Sequence, residues 1–368
     1  MNKPSGRSIL FASLACASTL AFAGCEEKPK VTEPATGGAA TSMTGMTARP
    51  SGGGGTGKEY TIAWSVWTGW MPFKLMEQKG LLDKRGQELG VKIRLKEFKG
   101  YMDSVQAFAA KKVDGVAMTS MESLQPASNG VKSVGIVVND VSNGGDGVLA
   151  RKGIADVKGL KGQTVLLEQF SVSHYLLGRA LESANLSERD VKIKNISGDD
   201  AGKAFLTDPG VKVVTTWNPH LFQATEQGKG KVIFSSRDIP GEIIDFLVVS
   251  DAALREEPKL GKALTEAWYD AMKLIADQST RPEAIEIMAK GAGAPVGDFN
   301  KMLADTDLYV DRGRAGDFLE SETLKKTMDK VKKFCLEHEL IKDAKFTVGY
   351  GAGGDDLLRF DSTWVRGK

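Results

Sequence analysis

The chain has 368 residues, of which 41% are apolar and 26% are charged, the composition of an ordinary globular protein. This length is too great for one small core and predicts two lobes, or one large α/β unit with an appendage. Its 49 basic and 47 acidic residues leave a formal net charge of +2, so a concentrated basic face for nucleic acid is not expected. A mean hydropathy of -0.21 argues equally against a polytopic membrane protein.

The N-terminal residues have the parts of a secretory signal: a basic start, an apolar run over residues 8–23 and an exit of small residues. The apolar run is too short to span a bilayer comfortably. The exit, Phe22-Ala23-Gly24-Cys25, resembles the lipobox of bacterial lipoproteins, with Phe22 where Leu is usual. We expect residues 1–24 to be a lipoprotein signal peptide and Cys25 to carry the lipid. A plain signal peptide with an unmodified cysteine is the alternative.

Residues 25–58 are rich in Pro, Gly, Thr and Ser and lack the apolar periodicity that could bury a core. This composition predicts a disordered tether that lets the following domain reach out from a membrane surface.

From Tyr60 onward, short β-type runs alternate with amphipathic helical patterns. In the first half of the domain we expect strands at 60–66, 91–95, 114–118 and 134–138, with helices at 71–79 and 103–112. The pattern then repeats, with strands at 164–167, 191–196, 211–215 and 231–234 and a helix at 173–184. After an apolar run at 243–249 the chain turns helical, at 263–277, 282–290, 296–304 and 320–340.

This alternation predicts an α/β fold of two lobes with mainly parallel sheets, joined by a hinge that the chain crosses twice. We place the first part of lobe 1 at 59–147, lobe 2 at 148–243, and the return strand and C-terminal helices of lobe 1 at 244–368.

Polar and aromatic residues recur where the predicted strands end, which is where open α/β sheets bind ligands. Six such loops, at 67–72, 118–123, 139–146, 168–175, 216–220 and 240–245, contain no Lys or Arg. The candidate ligand-binding residues from them are Trp67, Trp70, Met121, Glu122, Asp146, Glu168, Ser171, Ser173, His174, Trp217, Asn218 and Asp245. A serine at a helix start is also a common cap, and His174 fits a packed helix residue equally well.

No enzyme signature stands out in the sequence. There are three histidines, His174, His220 and His338, without an HExxH motif or a cysteine pair, and neither a Gly-x-Ser-x-Gly elbow nor a phosphate-binding loop is present. Cys335 lies in an amphipathic pattern and is expected to be a buried apolar residue. We therefore expect no catalytic residue, no metal and no cofactor.

Several of these segments together resemble the type II periplasmic binding proteins of the nitrate, sulfonate and taurine branch, and most closely those encoded beside urea carboxylase. The resemblance runs over residues 60–288. Its strings are Ala63-Trp64-Ser65, Gly69-Trp70-Met71-Pro72, Gly115 to Met121, Ser142-Asn143-Gly144, Ser171 to Leu177, Thr216-Trp217-Asn218-Pro219 and Ile239 to Asp245. The resemblance implies a Venus-flytrap fold that closes over a small molecule, and an ABC permease and ATPase as partners. It also implies a monomer on the periplasmic side of the cell envelope.

The ligand is argued from the residues. Sulfonate and nitrate sites need donors such as Arg or helix N-termini, whereas these loops carry carboxylates and indoles. Carboxylates accept hydrogen bonds from N–H groups, and indole faces attract cations. A nitrogen-rich solute such as guanidine or urea is therefore preferred. A sulfonate, taurine or nitrate held by Ser171, Ser173 and backbone N–H groups is the alternative. An enzyme of the pyrimidine-synthase type on the same fold is the alternative from another class.

Overall fold

The computed structural model describes residues 57–343 and 345–367, so the predicted signal peptide, Cys25 and nearly all of the predicted tether lie outside the described residues. In this part of the chain the strands form two sheets, one of eight strands and one of five. The eight-stranded sheet contains β1 (Glu59–Ser65), β2 (Lys92–Phe98), β3 (Gly115–Thr119), β4 (Ser133–Ser142), β10 (Ile244–Ser250), β11 (Thr306–Leu308), β12 (Val348–Tyr350) and β13 (Leu358–Phe360). The five-stranded sheet contains β5 (Asp146–Ala150), β6 (Thr164–Leu167), β7 (Lys192–Asn195), β8 (Val213–Trp217) and β9 (Lys231–Ser235).

Helices lie between the strands along the chain and are numbered in chain order. They are α1 (Met71–Gln78), α2 (Leu81–Leu89), α3 (Tyr101–Ala109), α4 (Ser120–Ser128), α5 (Val172–Ser183), α6 (Gly198–Thr207), α7 (His220–Glu226), α8 (Asp251–Glu256), α9 (Lys259–Ala276), α10 (Arg281–Gly291), α11 (Val296–Leu303), α12 (Arg312–Leu319), α13 (Glu322–Glu337) and α14 (Thr363–Arg366). None of them combines the length and the apolar character needed to cross a membrane.

The larger sheet has the order β12-β13-β4-β10-β3-β1-β2, and β11 adds to one end of β4. Strand β1 pairs in parallel with β2 and β3, and helices make the crossovers that parallel pairs require. Strand β10 runs antiparallel between β3 and β4. All ten residues of β4 are buried, which explains its nearly continuous apolar sequence.

The smaller sheet has the order β7-β6-β8-β5-β9. Strand β6 is parallel to β7 and β8, whereas β5 is antiparallel to β8 and β9. The chain passes from the larger sheet to the smaller one between the end of β4 and the start of β5. It returns between the end of β9 and the start of β10. The two sheets with their helices confirm the predicted two-lobed α/β architecture, and we call them lobe 1 and lobe 2.

The C-terminal part differs from the prediction. A helical tail is expected from the sequence, but the chain after α13 also forms two short strands, β12 and β13, joined by residues 351–357. Strand β13 pairs in parallel with the start of β4, from Ser133 to Gly135. Strands of three residues are too short to leave a periodic pattern, so only their pairing partner identifies them.

The contact between β13 and β4 can be tested at Gly135. A Cβ atom added there would lie 2.5 Å from Cδ1 of Phe360, a fully buried ring of β13. We expect Gly135→Ala to lower the free energy of unfolding by about 1–3 kcal/mol, the usual cost of overpacking, measured by urea denaturation. Gly297→Ala is the control, because nothing lies within 4 Å of its added Cβ. Equal stability of Gly135→Ala and the wild type would contradict the docking of the C-terminal strand.

Candidate ligand-binding site

Residues from both lobes line one small cavity. It has about 310 Å³ of space between its lining atoms, part of which is open to solvent. This size suits a ligand of few heavy atoms. The lining residues are Ser65, Val66, Trp67, Trp70, Tyr101, Thr119, Asp146, Val172, Trp217, Ile243 and Asp245. In the described part of the chain, none of these lining residues is Lys, Arg or His.

Aromatic rings form much of the cavity wall. The Trp70 and Tyr101 rings lie 5.4 Å apart, and the Trp217 ring of lobe 2 meets Tyr101 edge-on at 6.1 Å. The hydroxyl of Tyr101 accepts a hydrogen bond from the backbone N–H of Thr119 (2.9 Å), which holds the ring in place. Nε1 of Trp70 is buried and has no hydrogen-bond partner in the described part of the chain. A buried indole N–H usually has an acceptor, so a bound ligand can supply one here.

The turn after β1 is built around Asp140 of β4. Nε1 of Trp67 donates a hydrogen bond to Oδ1 of Asp140 (3.1 Å). A Cβ atom at Gly69 would lie 2.0 Å from Oδ2 of the same carboxyl group. Only glycine therefore allows the turn to approach Asp140 this closely, and the approach brings Trp67 and Trp70 to the cavity.

Asp140 is paired with a second buried acid. Asp245 of β10 is its register partner on the neighbouring antiparallel strand, and both residues are at most 2% exposed. Burial raises the pKa of Asp140 to about 7. Burial, followed by the charge of Asp140, raises the pKa of Asp245 well above its ordinary value. Two buried carboxyl groups this close cannot both ionise without a compensating cation. The Asp140–Asp245 pair therefore holds a proton near neutral pH.

Two further carboxyl groups near the cavity also have raised pKa values. Burial raises the pKa of Asp146, which lines the cavity at the start of β5, to about 7. Burial also raises the pKa of Glu168, beyond the end of β6, to about 7, although the backbone N–H of Gly198 donates a hydrogen bond to it (3.3 Å). The electrostatic environment around the cavity therefore favours positive charge or N–H donors.

Glu122 occupies a position where an anion could otherwise bind. Its Oε1 accepts a hydrogen bond from the backbone N–H of Val172, the first residue of α5, at 2.6 Å. Its Oε2 accepts from the hydroxyl of Thr119. A helix N-terminus attracts anions, and here a fully buried carboxyl group of lobe 1 fills the N-terminus of a lobe 2 helix.

Five of the twelve predicted site residues line the cavity: Trp67, Trp70, Asp146, Trp217 and Asp245. Ser171 instead caps α5, accepting a hydrogen bond from the N–H of Ser173 (3.2 Å). Oδ1 of Asn218 accepts from the N–H of Phe222 and so stabilises the start of α7 (3.0 Å).

The other predicted residues that do not line the cavity are Met121, Glu122, Glu168, Ser173 and His174. Met121 is buried in the core of lobe 1. His174 lies on α5 beside Glu188, 3.2 Å from its Oε1. These side chains follow strand ends as predicted, but the direction of each depends on the helix that follows the strand.

The prediction of site residues omitted Tyr101, Thr119 and Asp140. Asp140 had a detectable signal, because it interrupts a buried apolar strand, where an acid is costly unless it has a partner or a function. Tyr101 begins a helix after a different strand and has no such signal. Glu242, in the predicted loop at 240–245, lies away from the cavity and forms an ion pair with Nε of Arg179 (2.8 Å).

The fold and the cavity define a class of protein: the chain has the two-lobed fold of periplasmic binding proteins, with a ligand cavity between the lobes. The sequence profile of the NMT1-like family matches residues 54–289, and the chain belongs to this family.

The relatives carry sulfonate-binding names. A candidate aliphatic sulfonates-binding protein of Bacillus subtilis (strain 168) is 26% identical over 203 residues, covering 50% of this chain and 61% of that protein. The alkanesulfonate-binding protein SsuA of Xanthomonas axonopodis pv. citri, bound to MOPS, superposes with a TM-score of 0.65 at 18% identity, covering 77% of this chain and 94% of its own. The aliphatic sulphonate binding protein SsuA of Escherichia coli gives 0.62 at 21% identity, covering 78% and 95%.

One solved structure with this fold is an enzyme. The desulfurization enzyme DSZB superposes with a TM-score of 0.58 at 15% identity, covering 77% of this chain and 94% of its own. The fold alone therefore does not separate binding proteins from enzymes.

The pH dependence of stability tests the buried acids. A carboxyl group whose pKa is raised by folding keeps a proton that the unfolded chain releases above about pH 4, so stability falls as pH rises from about 4 to about 7. We expect ligand-free Asp245→Asn to show a flatter profile and to be more stable than wild type at pH 8 by at least about 1 kcal/mol, measured by urea denaturation at pH 5, 6, 7 and 8.

Asp270→Asn is the matched control. Burial would raise the pKa of Asp270, but Arg85 (Nε–Oδ2 2.6 Å) holds this pKa below its ordinary value. The control should therefore lose stability at neutral pH. A wild-type profile that is flat between pH 5 and 7 would refute the protonated pair.

Proposed function

We propose that the protein is the solute-binding component of an ABC importer, a monomer on the periplasmic side that closes its lobes over a small molecule and delivers it to a permease. Family membership, the two-lobed fold and the cavity between the lobes support this function. The names of three relatives support it too, since each is a sulfonate-binding protein.

The ligand class is a separate proposal: a small, N–H-rich solute such as guanidinium or urea. The observation that carries it is the set of buried acids, Asp140, Asp146 and Asp245, at a cavity whose described lining contains no basic side chain. A cation would let these acids ionise, and N–H groups of a neutral amide would donate to them. The unpartnered Nε1 of Trp70 would donate to the oxygen of urea, and the indole faces suit a flat cation.

The alternative ligand is a sulfonate, taurine or nitrate. The comparisons favour it over guanidine and urea, because the relatives are named for sulfonates. In this chain the α5 N-terminus would have to exchange Glu122 for the anion, since Glu122 already accepts the N–H of Val172. Ser171, predicted as an anion donor, donates its hydroxyl to the carbonyl of Glu168 instead (2.8 Å).

The affinity of the ligand at different pH separates the two classes. Guanidinium needs ionised acids, so its affinity should rise about tenfold or more from pH 5.5 to pH 8 as groups with pKa near 7 lose their protons. An anion should bind more tightly at the lower pH. Isothermal titration of the ligand-free protein with guanidinium, urea, taurine, an alkanesulfonate and nitrate measures both the preference and its direction.

Two variants locate the binding in this cavity. Asp245→Asn and Trp70→Ala should each weaken binding of the preferred ligand about tenfold or more, because each removes a lining group. Asp317→Asn is the control, since the Asp317 side chain is exposed and pairs with Arg366 away from the cavity. Binding of taurine or nitrate alone, with weaker affinity at high pH, would refute the guanidine and urea proposal. The proposed importer function would not be affected by that result.

We extend the proposal to the membrane anchor at Cys25. The lipobox-like string Phe22-Ala23-Gly24-Cys25 supports cleavage before a lipidated cysteine. Intact mass spectrometry of the protein from bacterial membranes should give a chain that begins at residue 25 and carries added lipid. Cys25→Ser should release the protein into the soluble fraction, and Cys335→Ser is the control because that thiol is buried in the folded domain. A soluble wild-type chain without added mass would overturn the anchor.

A further inference from the structure

Two histidines and a glutamate converge at the junction of the lobes, outside the ligand cavity. His174 lies in the first turn of α5, Glu188 in the turn before β7, and His338 at the end of α13. Nε2 of His338 lies 2.8 Å, and Nε2 of His174 3.2 Å, from Oε1 of Glu188. One ligand atom from each residue lies within 4.8 Å of the others. Metal–ligand bonds of about 2.1 Å in a tetrahedral site place ligand atoms about 3.4 Å apart, near the 2.8 and 3.2 Å of the two contacts with Glu188.

The orientation of the imidazoles suits coordination. Nδ1 of His338 lies 2.9 Å from the carbonyl oxygen of Phe334, to which its N–H can donate, and this contact directs the Nε2 lone pair towards Glu188. His174 is 1% exposed, and its Nε2 has no well-aligned hydrogen bond in the described part of the chain. The backbone N–H of Phe170 donates to Nδ1 of His174 (3.3 Å), a long hydrogen bond that a metal at Nε2 would disrupt, because the neutral imidazole would then carry its proton on Nδ1.

Glu188 supplies the negative charge. Its side chain is 33% exposed, and its Oε1 faces Nε2 of both imidazoles. Nearby positive side chains have their own partners: Arg179 and Lys330 contact Glu242 (2.8 and 2.5 Å), and Lys333 contacts Glu337 (2.7 Å). A cavity of about 450 Å³, bordered by Glu188 and His338, gives an ion a path to the cluster.

We infer that His174, Glu188 and His338 form a binding site for a divalent first-row transition metal such as Zn²⁺. Two imidazoles and one carboxylate match the ligands of zinc and its neighbours, whereas Mg²⁺ and Ca²⁺ prefer oxygen ligands alone. Three protein ligands leave the remaining coordination positions to water.

The site links the two lobes. His174 and Glu188 belong to lobe 2, while His338 ends α13, a helix that precedes the last strands of lobe 1. A metal held by all three would therefore stabilise the present arrangement of the lobes. This inference does not depend on the identity of the ligand in the cavity.

Metal binding can be measured without any solute in the cavity. Protein purified without a polyhistidine tag and treated with EDTA should bind one Zn²⁺ by isothermal titration, and Zn²⁺ but not Mg²⁺ should raise its melting temperature. Co²⁺ should give visible absorption bands typical of a low-coordinate nitrogen and oxygen site. His338→Ala and Glu188→Gln should each reduce Zn²⁺ affinity at least about tenfold.

His220→Ala is the matched control. His220 is the remaining histidine and contacts Asp199 (3.1 Å) outside the cluster, so its removal should leave Zn²⁺ affinity unchanged. His338 is partly exposed, so His338→Ala carries the test even if the buried His174→Ala fails to fold. Absence of stoichiometric binding, or equal Zn²⁺ affinity in wild type, His338→Ala and Glu188→Gln, would overturn the site.

Discussion

The electrostatic repulsion between Asp140 and Asp245 is the constraint on which the rest of the site depends. These acids face each other on β4 and β10, the two strands at which the chain leaves lobe 1 and returns to it. In a buried environment the two carboxyl groups cannot both be ionised unless a cation lies beside them. Without a cation, the pair keeps a proton. The indole N–H of Trp67 and the close approach of Gly69 surround Asp140, while its partner Asp245 lines the cavity. The ligand cavity therefore lies where lobe 1 has a charge to compensate.

The relatives and the local chemistry of the site point to different ligand charges. A shared fold brings the ends of strands together in every member, but it leaves the charge at those ends to individual residues. In this chain the N-terminus of α5 already contacts Glu122, a buried carboxyl group of lobe 1. A carboxylate from the chain itself can satisfy a helix dipole as an anionic ligand would, so the dipole does not by itself indicate an anionic ligand.

Both polar and apolar contacts join the lobes. Nε2 of Gln125 donates to the carbonyl oxygen of Phe170 (2.9 Å), and Lys301 of lobe 1 contacts Glu226 of lobe 2 (3.0 Å). An exposed ion pair contributes little individually, but the ring of Phe334 on α13 also packs against Tyr175 of lobe 2, with ring centroids 5.4 Å apart. The Tyr101–Trp217 contact lies across the cavity itself, and for this reason a ligand that fills the cavity would influence the closure of the lobes.

Much of the fold follows from local patterns. The apolar run at 134–138 predicts β4, and the helical pattern at 173–184 predicts α5 to within a residue at each end. Strands β12 and β13 could not be predicted, because three residues carry no period and only pairing with β4 defines them. The same division holds in the site. Trp67, Trp70, Asp146, Trp217 and Asp245 lie in the six predicted loops, whereas Tyr101 begins α3, outside all of them.

By itself, the sequence determined the alternation of strands and helices, the absence of Lys and Arg from the strand-end loops and the aromatic character of those loops. These are local properties that each segment carries wherever it lies. Only the tertiary structure decided that Asp140 faces Asp245, that Glu122 meets the start of α5, and that His174 and His338 share Glu188. Each of these contacts joins residues distant in the chain, and sheet order and helix packing bring them together.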